Sequence, residues 1–303
     1  MDRMDALRIF SRVADMQSFT RAATALRLPK ATVSLAVKRL EEEVGVLLLR
    51  RTTRVVRLTQ EGELFHGRCR AVLADFEELE GLFRKSAGEL TGRVRIDMST
   101  ALARSFFIPR LRGFHAIHPH IEVELGATDG LGDPVREGVD LAVRAGALAD
   151  SSLAVRPLGA MQLANLASAA YVRAHGVPAS SDDLEGHHLV GYASAGDRQP
   201  TSFEWLVHTR SGTELRRRPM RSLVVVSNTV SYLEACLAGL GIIQAPRYNV
   251  RTLVADGTLV ELLPELTAPA LPLSILHPHR RLTRRARALL DWFEPQLRAA
   301  IDA

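Results

Sequence analysis

The chain has 303 residues, 47% of them hydrophobic and 24% charged. That balance suits a soluble globular protein of two or three compact units and excludes a wholly disordered one. No run reaches the roughly 18–20 apolar residues of a membrane span, and the first segment is broken by Asp2, Asp5, Arg8 and Arg12, unlike a signal peptide. A cytoplasmic protein without membrane contact is therefore expected. The two cysteines, Cys69 and Cys236, fit neither a disulfide framework nor a structural zinc site. The formal charge of +5 is unevenly spread: residues 1–60 hold 12 Lys and Arg against 6 Asp and Glu, and the remaining 243 residues hold 27 against 28. A small basic module joined to a near-neutral body is what a chain shows when one part meets a polyanion.

Met4, Leu7, Phe10, Val13 and Ala14 recur at helical spacing over 2–16. Ser18 is placed to cap a second helix, about Thr20–Leu26. Pro29 opens a third, about Lys30–Val44, whose apolar stripe is Val33, Val37, Leu40 and Val44, and Gly45 closes it. Hydroxyls and cations on the outer face of the last helix describe a helix-turn-helix, although spacing alone also fits a plain three-helix bundle. The stretch LLLRRTTRVVRLT then predicts a β-wing carrying arginines.

The run SFTRAATALRLPKATVSLAVKRLEEEVGVLLLRRTTRVVRLTQEG resembles the N-terminal signature of LysR-type transcriptional regulators. Ser18-Phe19, Ala22-Ala23, Leu26, Val33-Ser34, Leu40-Glu41, Gly45, Leu48-Leu49, Arg51-Thr52-Thr53-Arg54, Leu58-Thr59 and Gly62 match in order and without gaps. Leu35 departs from the polar or basic residue common there. The resemblance implies double-stranded DNA as a partner. Ser18, Thr20, Lys30, Ala31, Thr32, Ser34 and Lys38 would form the DNA-binding surface, with Arg51, Thr53 and Arg54 in the wing.

Beyond Thr59 a helical pattern runs to about Gly88, in which Phe65, Cys69, Val72, Phe76, Leu79 and Phe83 step by fours and threes. That spacing predicts a coiled-coil seam joining two subunits and makes Cys69 a small apolar seam residue rather than a redox switch. Ser86–Gly92 reads as a hinge.

From Arg93 strands and helices alternate, which predicts a parallel α/β sheet. GVDLAVRAG, DSSLAVRPLG and SNTVSYLEACLAGLGI resemble LysR-type effector domains, which share the two-lobed fold of periplasmic solute-binding proteins. The fold expected is thus α/β with an all-α-rich head. A winged helix-turn-helix (1–60) would lead through a linker helix (61–88) to an effector domain (91–303), with lobe one at 91–161 and 267–303 and lobe two at 162–266.

Ser99-Thr100 and Asn228-Thr229 each join a strand end to a helix start, where free N–H groups meet anions. They cap helices, contact a ligand, or both. Arg144 is either a cation for an anionic effector or a partner in a salt bridge. The expected ligand is a small metabolite bearing a carboxylate. No cofactor and no metal is expected: His118-Pro119-His120 and His187-His188 lack ligand spacing, and Gly130-Leu131-Gly132 lacks the third glycine of a dinucleotide loop. Arg216-Arg217-Arg218 reads as a solvated loop. No nucleophile elbow or paired-carboxylate arrangement appears, so an enzyme anchored to nucleic acid is disfavoured. A purely architectural DNA binder would leave the two lobes without a role. By resemblance the assembly is a dimer of dimers that contacts RNA polymerase.

Overall fold

The computed structural model describes residues 2–51, 56–81, 90–129, 138–146, 148, 153–193, 202–209, 212–277 and 282–302. The head is built from α1 (Arg3–Met16), α2 (Phe19–Leu26) and α3 (Lys30–Val44). Their apolar stripes meet in one core containing Phe10, Val13, Ala22, Val33, Val37 and Leu40. Left-handed caps at Gln17 and Arg27, φ 49° and 55°, end α1 and α2 abruptly, so the chain turns at once into the next helix. Gly45 at φ 80° closes α3, a conformation that glycine adopts without steric cost. Strands β1 (Leu49–Arg51) and β2 (Val56–Leu58) pair antiparallel, Leu49 opposite Leu58. Thr52–Val55, including the expected wing residues Thr53 and Arg54, lie outside the described residues.

Helix α4 (Gln60–Gly81) follows; Phe83 lies outside the described residues. The expected seam needs correction at its first two positions. Phe65 and Cys69 do not face outward but pack into the head's own core, Phe65 edge-on to Phe10 at 5.4 Å and Cys69 beneath Leu7. The head requires an apolar cover, and the first turns of α4 supply it. The outward apolar stripe is instead Leu64, Val72 and Leu79, about half exposed. Phe76 lies to one side, under the Arg8 guanidinium.

The body has two lobes. In lobe one, β3 (Gly92–Met98), β4 (Ile121–Ala127), β5 (Leu141–Ala145), β6 (Ala154–Met161) and β14 (Leu271–His277) form one sheet in the order β4-β3-β5-β14-β6. The sheet is mixed rather than parallel, because β14 returns from the other lobe and enters antiparallel between β5 and β6, while β3 runs parallel to β4 and β5. A helix starts as α5 (Thr100–Leu102), passes through a π turn at Ala103–Phe107 and continues as α6 (Ile108–Ile117). It packs with the C-terminal helix α10 (Arg284–Asp302), whose Phe293 meets Phe106 and Phe107 edge-on at 5.8 and 5.1 Å.

Lobe two centres on β7 (Leu163–Ser168), flanked antiparallel by β12 (Ile243–Pro246) and β13 (Leu259–Glu261). Helices α7 (Ala169–His175), α8 (Thr229–Leu237) and α9 (Arg247–Ala255) accompany them. Short strands β8 (Gly191–Tyr192) and β11 (Val225–Val226) pair in parallel. Arg216-Arg217-Arg218 is not a loop. It lies in β10 (Gly212–Pro219), paired antiparallel with β9 (Ser202–Thr209), and alternation in a largely exposed hairpin tolerates charge on both faces. Gly130-Leu131-Gly132 lies outside the described residues.

Candidate functional site

The head presents α3 outward. Lys30, Ala31, Leu35 and Lys38 are exposed, Thr32 and Ser34 half-buried. No side-chain hydrogen bond ties Lys30, Thr32 or Ser34 among the described residues, while Lys38 lies 3.5 Å from Glu42 one turn on. Ser18 is held in the scaffold, its hydroxyl accepting the Arg21 N–H at 3.3 Å to start α2, and Thr20 is exposed on that helix. A residue that sequence reading left without a role fixes this surface: the buried Glu41 carboxylate accepts the Leu48 and Leu49 N–H groups at 2.9 and 3.0 Å, tying the recognition helix to the wing. At the root of α4, Thr59 Oγ1 donates to Leu47 O at 2.7 Å and accepts the Gly62 N–H at 2.9 Å. A Cβ at Gly62 would stand 1.9 Å from Leu48 O, so only glycine permits this approach.

On the head's other side Asp15 lies 3.2 Å from His66 Nε2. Burial by itself raises the Asp15 carboxyl. The hydrogen bond and charge of His66, with Arg95 and Arg12 nearby, outweigh it and hold Asp15 below its ordinary value. Burial pushes both thiols, Cys69 and Cys236, up to about 12, which keeps the reactive thiolate scarce.

Between the lobes, the strand ends expected to meet a ligand do converge. Ser99 caps α5 by accepting the Leu102 N–H at 3.3 Å, and Asn228 caps α8 by accepting the Ser231 N–H at 2.8 Å. The next residues reach across the cleft. Thr100 Oγ1 and Thr229 Oγ1 are 3.0 Å apart, and Thr229 Oγ1 accepts the Ala101 N–H at 3.0 Å. Both helix starts close on a residue not singled out from sequence, Asp129, two residues beyond the end of β4. Its carboxylate accepts the Thr229 N–H and hydroxyl, each at 3.0 Å, the Thr100 N–H at 3.3 Å, and the Thr100 hydroxyl. Tyr192 stands beside it. Burial first, then the Asp129 charge, push its phenol up to about 12. The only sequence signal for Asp129 was an acid just after a strand, and nothing local tells which helix starts it will reach.

Arg144 takes the second of its two expected roles. It is buried on β5 with Nη1 2.5 Å from Asp97 Oδ2, and Thr128 Oγ1 donates to the same Asp97 at 3.3 Å. Nη1 is committed to the sheet, because a carboxylate as buried as Asp97 requires a countercharge, while Nη2 is buried without a hydrogen-bond partner among the described residues. Among the described residues there is no group of three or more His, Cys, Asp or Glu arranged to hold a metal, and no helix long and apolar enough to cross a membrane.

A winged helix-turn-helix leading into a two-lobed domain with a polar cleft defines a DNA-binding regulator with an effector domain. Comparison with known proteins agrees. Residues 4–63 match the model of the bacterial regulatory helix-turn-helix proteins of the lysR family, and residues 87–298 match the LysR substrate binding domain. The chain is 39% identical over its whole length to the transcriptional regulator YhjC of Escherichia coli K12, covering all of both chains. It is 35% identical to an HTH-type transcriptional repressor of Pseudomonas aeruginosa UCBPP-PA14, covering 96% of this chain and 91% of that one. Its fold superposes on CrgA, a LysR-type transcriptional regulator from Neisseria meningitidis, with TM-score 0.60 and 29% identity over 98% and 99% of the two chains. The chain belongs to the LysR-type transcriptional regulators, a family of DNA-binding regulators rather than enzymes.

Proposed function

We propose that this regulator binds promoter inverted repeats as a symmetric pair and changes their occupancy when a small carboxylate-bearing metabolite enters the interlobe cleft. The observation that carries the effector class is the Asp129 carboxylate lodged at two helix starts, one from each lobe. Four donors satisfying one carboxylate describe a pocket already shaped for that group. An effector carboxylate competes with Asp129 for these donors, and the exchange couples ligand to lobe arrangement, since a ligand shifts an equilibrium only through its differential affinity for the two states. Ser99, Thr100, Asn228 and Thr229 are the effector-binding residues on this reading, with Arg144 supporting the sheet beneath.

In the head, Lys30, Ala31, Thr32, Ser34 and Lys38 face the major groove. Ser18 and Thr20 approach the backbone, as do Arg51, Thr53 and Arg54 of the wing. The exposed stripe of Leu64, Val72 and Leu79 on α4 meets the same stripe of a second copy. Two such pairs complete the dimer of dimers, which contacts RNA polymerase from the cytoplasm, where the promoter is.

The test is calorimetric titration of a panel of small mono- and dicarboxylates into the wild type and into Asp129→Ala. With the internal competitor removed, a binding carboxylate gains at least about tenfold in affinity. Weaker or unchanged binding in the variant, or selective binding of amines by the wild type, overturns the reading.

A further inference from the structure

A cavity of about 330 Å³ lies where the head meets the body. The head lines it with Arg8 and Arg12 of α1 and with Arg68 and Arg70 of α4. The body adds Arg93 and Arg95 of β3 and Arg285 at the start of α10. Among the described residues, the only acids in the lining are Asp15 and Asp140. From outside it, Glu122 and Glu124 engage Arg93 at 3.2 Å each, and Glu124 also holds Arg95.

Arg8, Arg95 and Arg285 all interact with neighbours, and Arg8 stacks over Phe76. Among the described residues, seven guanidiniums and four carboxylates stand in or beside the lining. One consequence is visible at Arg70, whose Nη1 is buried without a hydrogen-bond partner among the described residues, a costly state for a charged donor. Like charges gathered in one recess repel, and a multiply charged anion that joins them lowers the energy.

We propose that this cavity binds a small phosphorylated anion, and that the bound anion holds the head to the body. Guanidinium forks converging from α1, α4, β3 and α10 suit a group with oxygens on several sides, which each fork grips in bidentate fashion. Buried guanidinium nitrogens of Arg70, Arg95 and Arg285 that lack a hydrogen-bond acceptor among the described residues suit the several oxygens of a phosphoryl dianion or pyrophosphate better than a single carboxylate. The interlobe cleft is the opposite case, built of hydroxyls and N–H groups around one carboxylate. The volume lies at the small end of ligand pockets, roughly 300–1,000 Å³, which admits a phosphate ester or pyrophosphate and excludes a folded chain. Because both domains contribute arginines, occupancy fixes the orientation in which the head is presented to DNA.

The experiment is calorimetric titration of pyrophosphate into the DNA-free, full-length protein at low ionic strength. One site per chain is expected, weakened at least about tenfold by Arg70→Ala and by Arg12→Ala. It should be unchanged by the control Arg216→Ala on the β9–β10 hairpin, which removes as much charge elsewhere. Circular dichroism checks folding, and Arg70→Gln replaces Arg70→Ala if that variant does not fold. Absence of binding, or equal loss in the control, overturns the proposal. So does a result in which Arg70→Ala and Arg12→Ala bind pyrophosphate normally but lose affinity for duplex DNA, since the cavity would then serve the DNA backbone.

Discussion

The recognition helix and the interlobe cleft both offer polar groups to an anion, yet they stand in opposite states. On α3, Lys30, Thr32 and Ser34 have no side-chain hydrogen-bond partners among the described residues and face outward, stiffened from behind by Glu41. In the cleft, Thr100 and Thr229 are already saturated by Asp129. An exposed, pre-formed surface suits a large external polyanion whose release of counterions drives binding. A saturated cleft suits a switch, because its ligand must displace something and thereby changes the protein.

The contrast is sharpest if the two regions fold on separate cores. Phe10 is fully buried at the centre of the head. Phe10→Ala should cost the head about 3–5 kcal/mol and abolish DNA binding in a gel-shift assay, while carboxylate titration into the cleft is unaltered. Parallel loss of both activities would show one shared cooperative unit and dissolve the comparison. In the cleft, Thr229→Val removes a hydroxyl that both accepts from Ala101 and donates to Asp129. A loss of about 1–3 kcal/mol is expected, seen as a lower melting temperature of the effector domain with DNA affinity at saturating protein preserved.

Back in the head, Glu41→Gln should cost about 1–2 kcal/mol. The neutral amide oxygen still accepts from Leu48 and Leu49, but without the charge. Duplex affinity should fall across all sequences alike, because the wing is displaced while the side chains that read base edges stay in place. The smallest effect is acid sensitivity. Asp15 titrates below its ordinary value of 3.8 in the folded head. Its contribution is therefore complete above that pH and is lost as pH falls through the lower folded value. In Asp15→Asn this part of the acid unfolding profile should disappear, and an unchanged profile would remove the His66 pairing from the head's stability.

Much of the head was legible because its information is local. Ser18 as a cap, Gly45 as a helix stop and the stripe of Val33, Val37 and Leu40 are short-range patterns that the structure repeats. The body was legible in its elements and less so in their assembly. Alternation of strands and helices indicated an α/β sheet, but nothing near Leu271–His277 announces that this strand inserts antiparallel between β5 and β6. The expected seam along α4 misassigned Phe65 and Cys69 for a similar reason. A four-three spacing names a helical face without saying whether the chain's own head or a second copy will cover it.

The amino-acid order alone determined the helix boundaries of the head, the basic first fifth, the family and the two strand-to-helix starts that converge on the cleft. These rest on caps, glycines, periodicity and charge, which act between residues a few positions apart. Tertiary structure decided that Arg144 answers Asp97, that Asp129 sits at both helix starts, and that arginines from four separate elements share one recess. Each joins residues dozens of positions apart, and a charge chooses its partner by distance and burial, which exist only once the chain has folded.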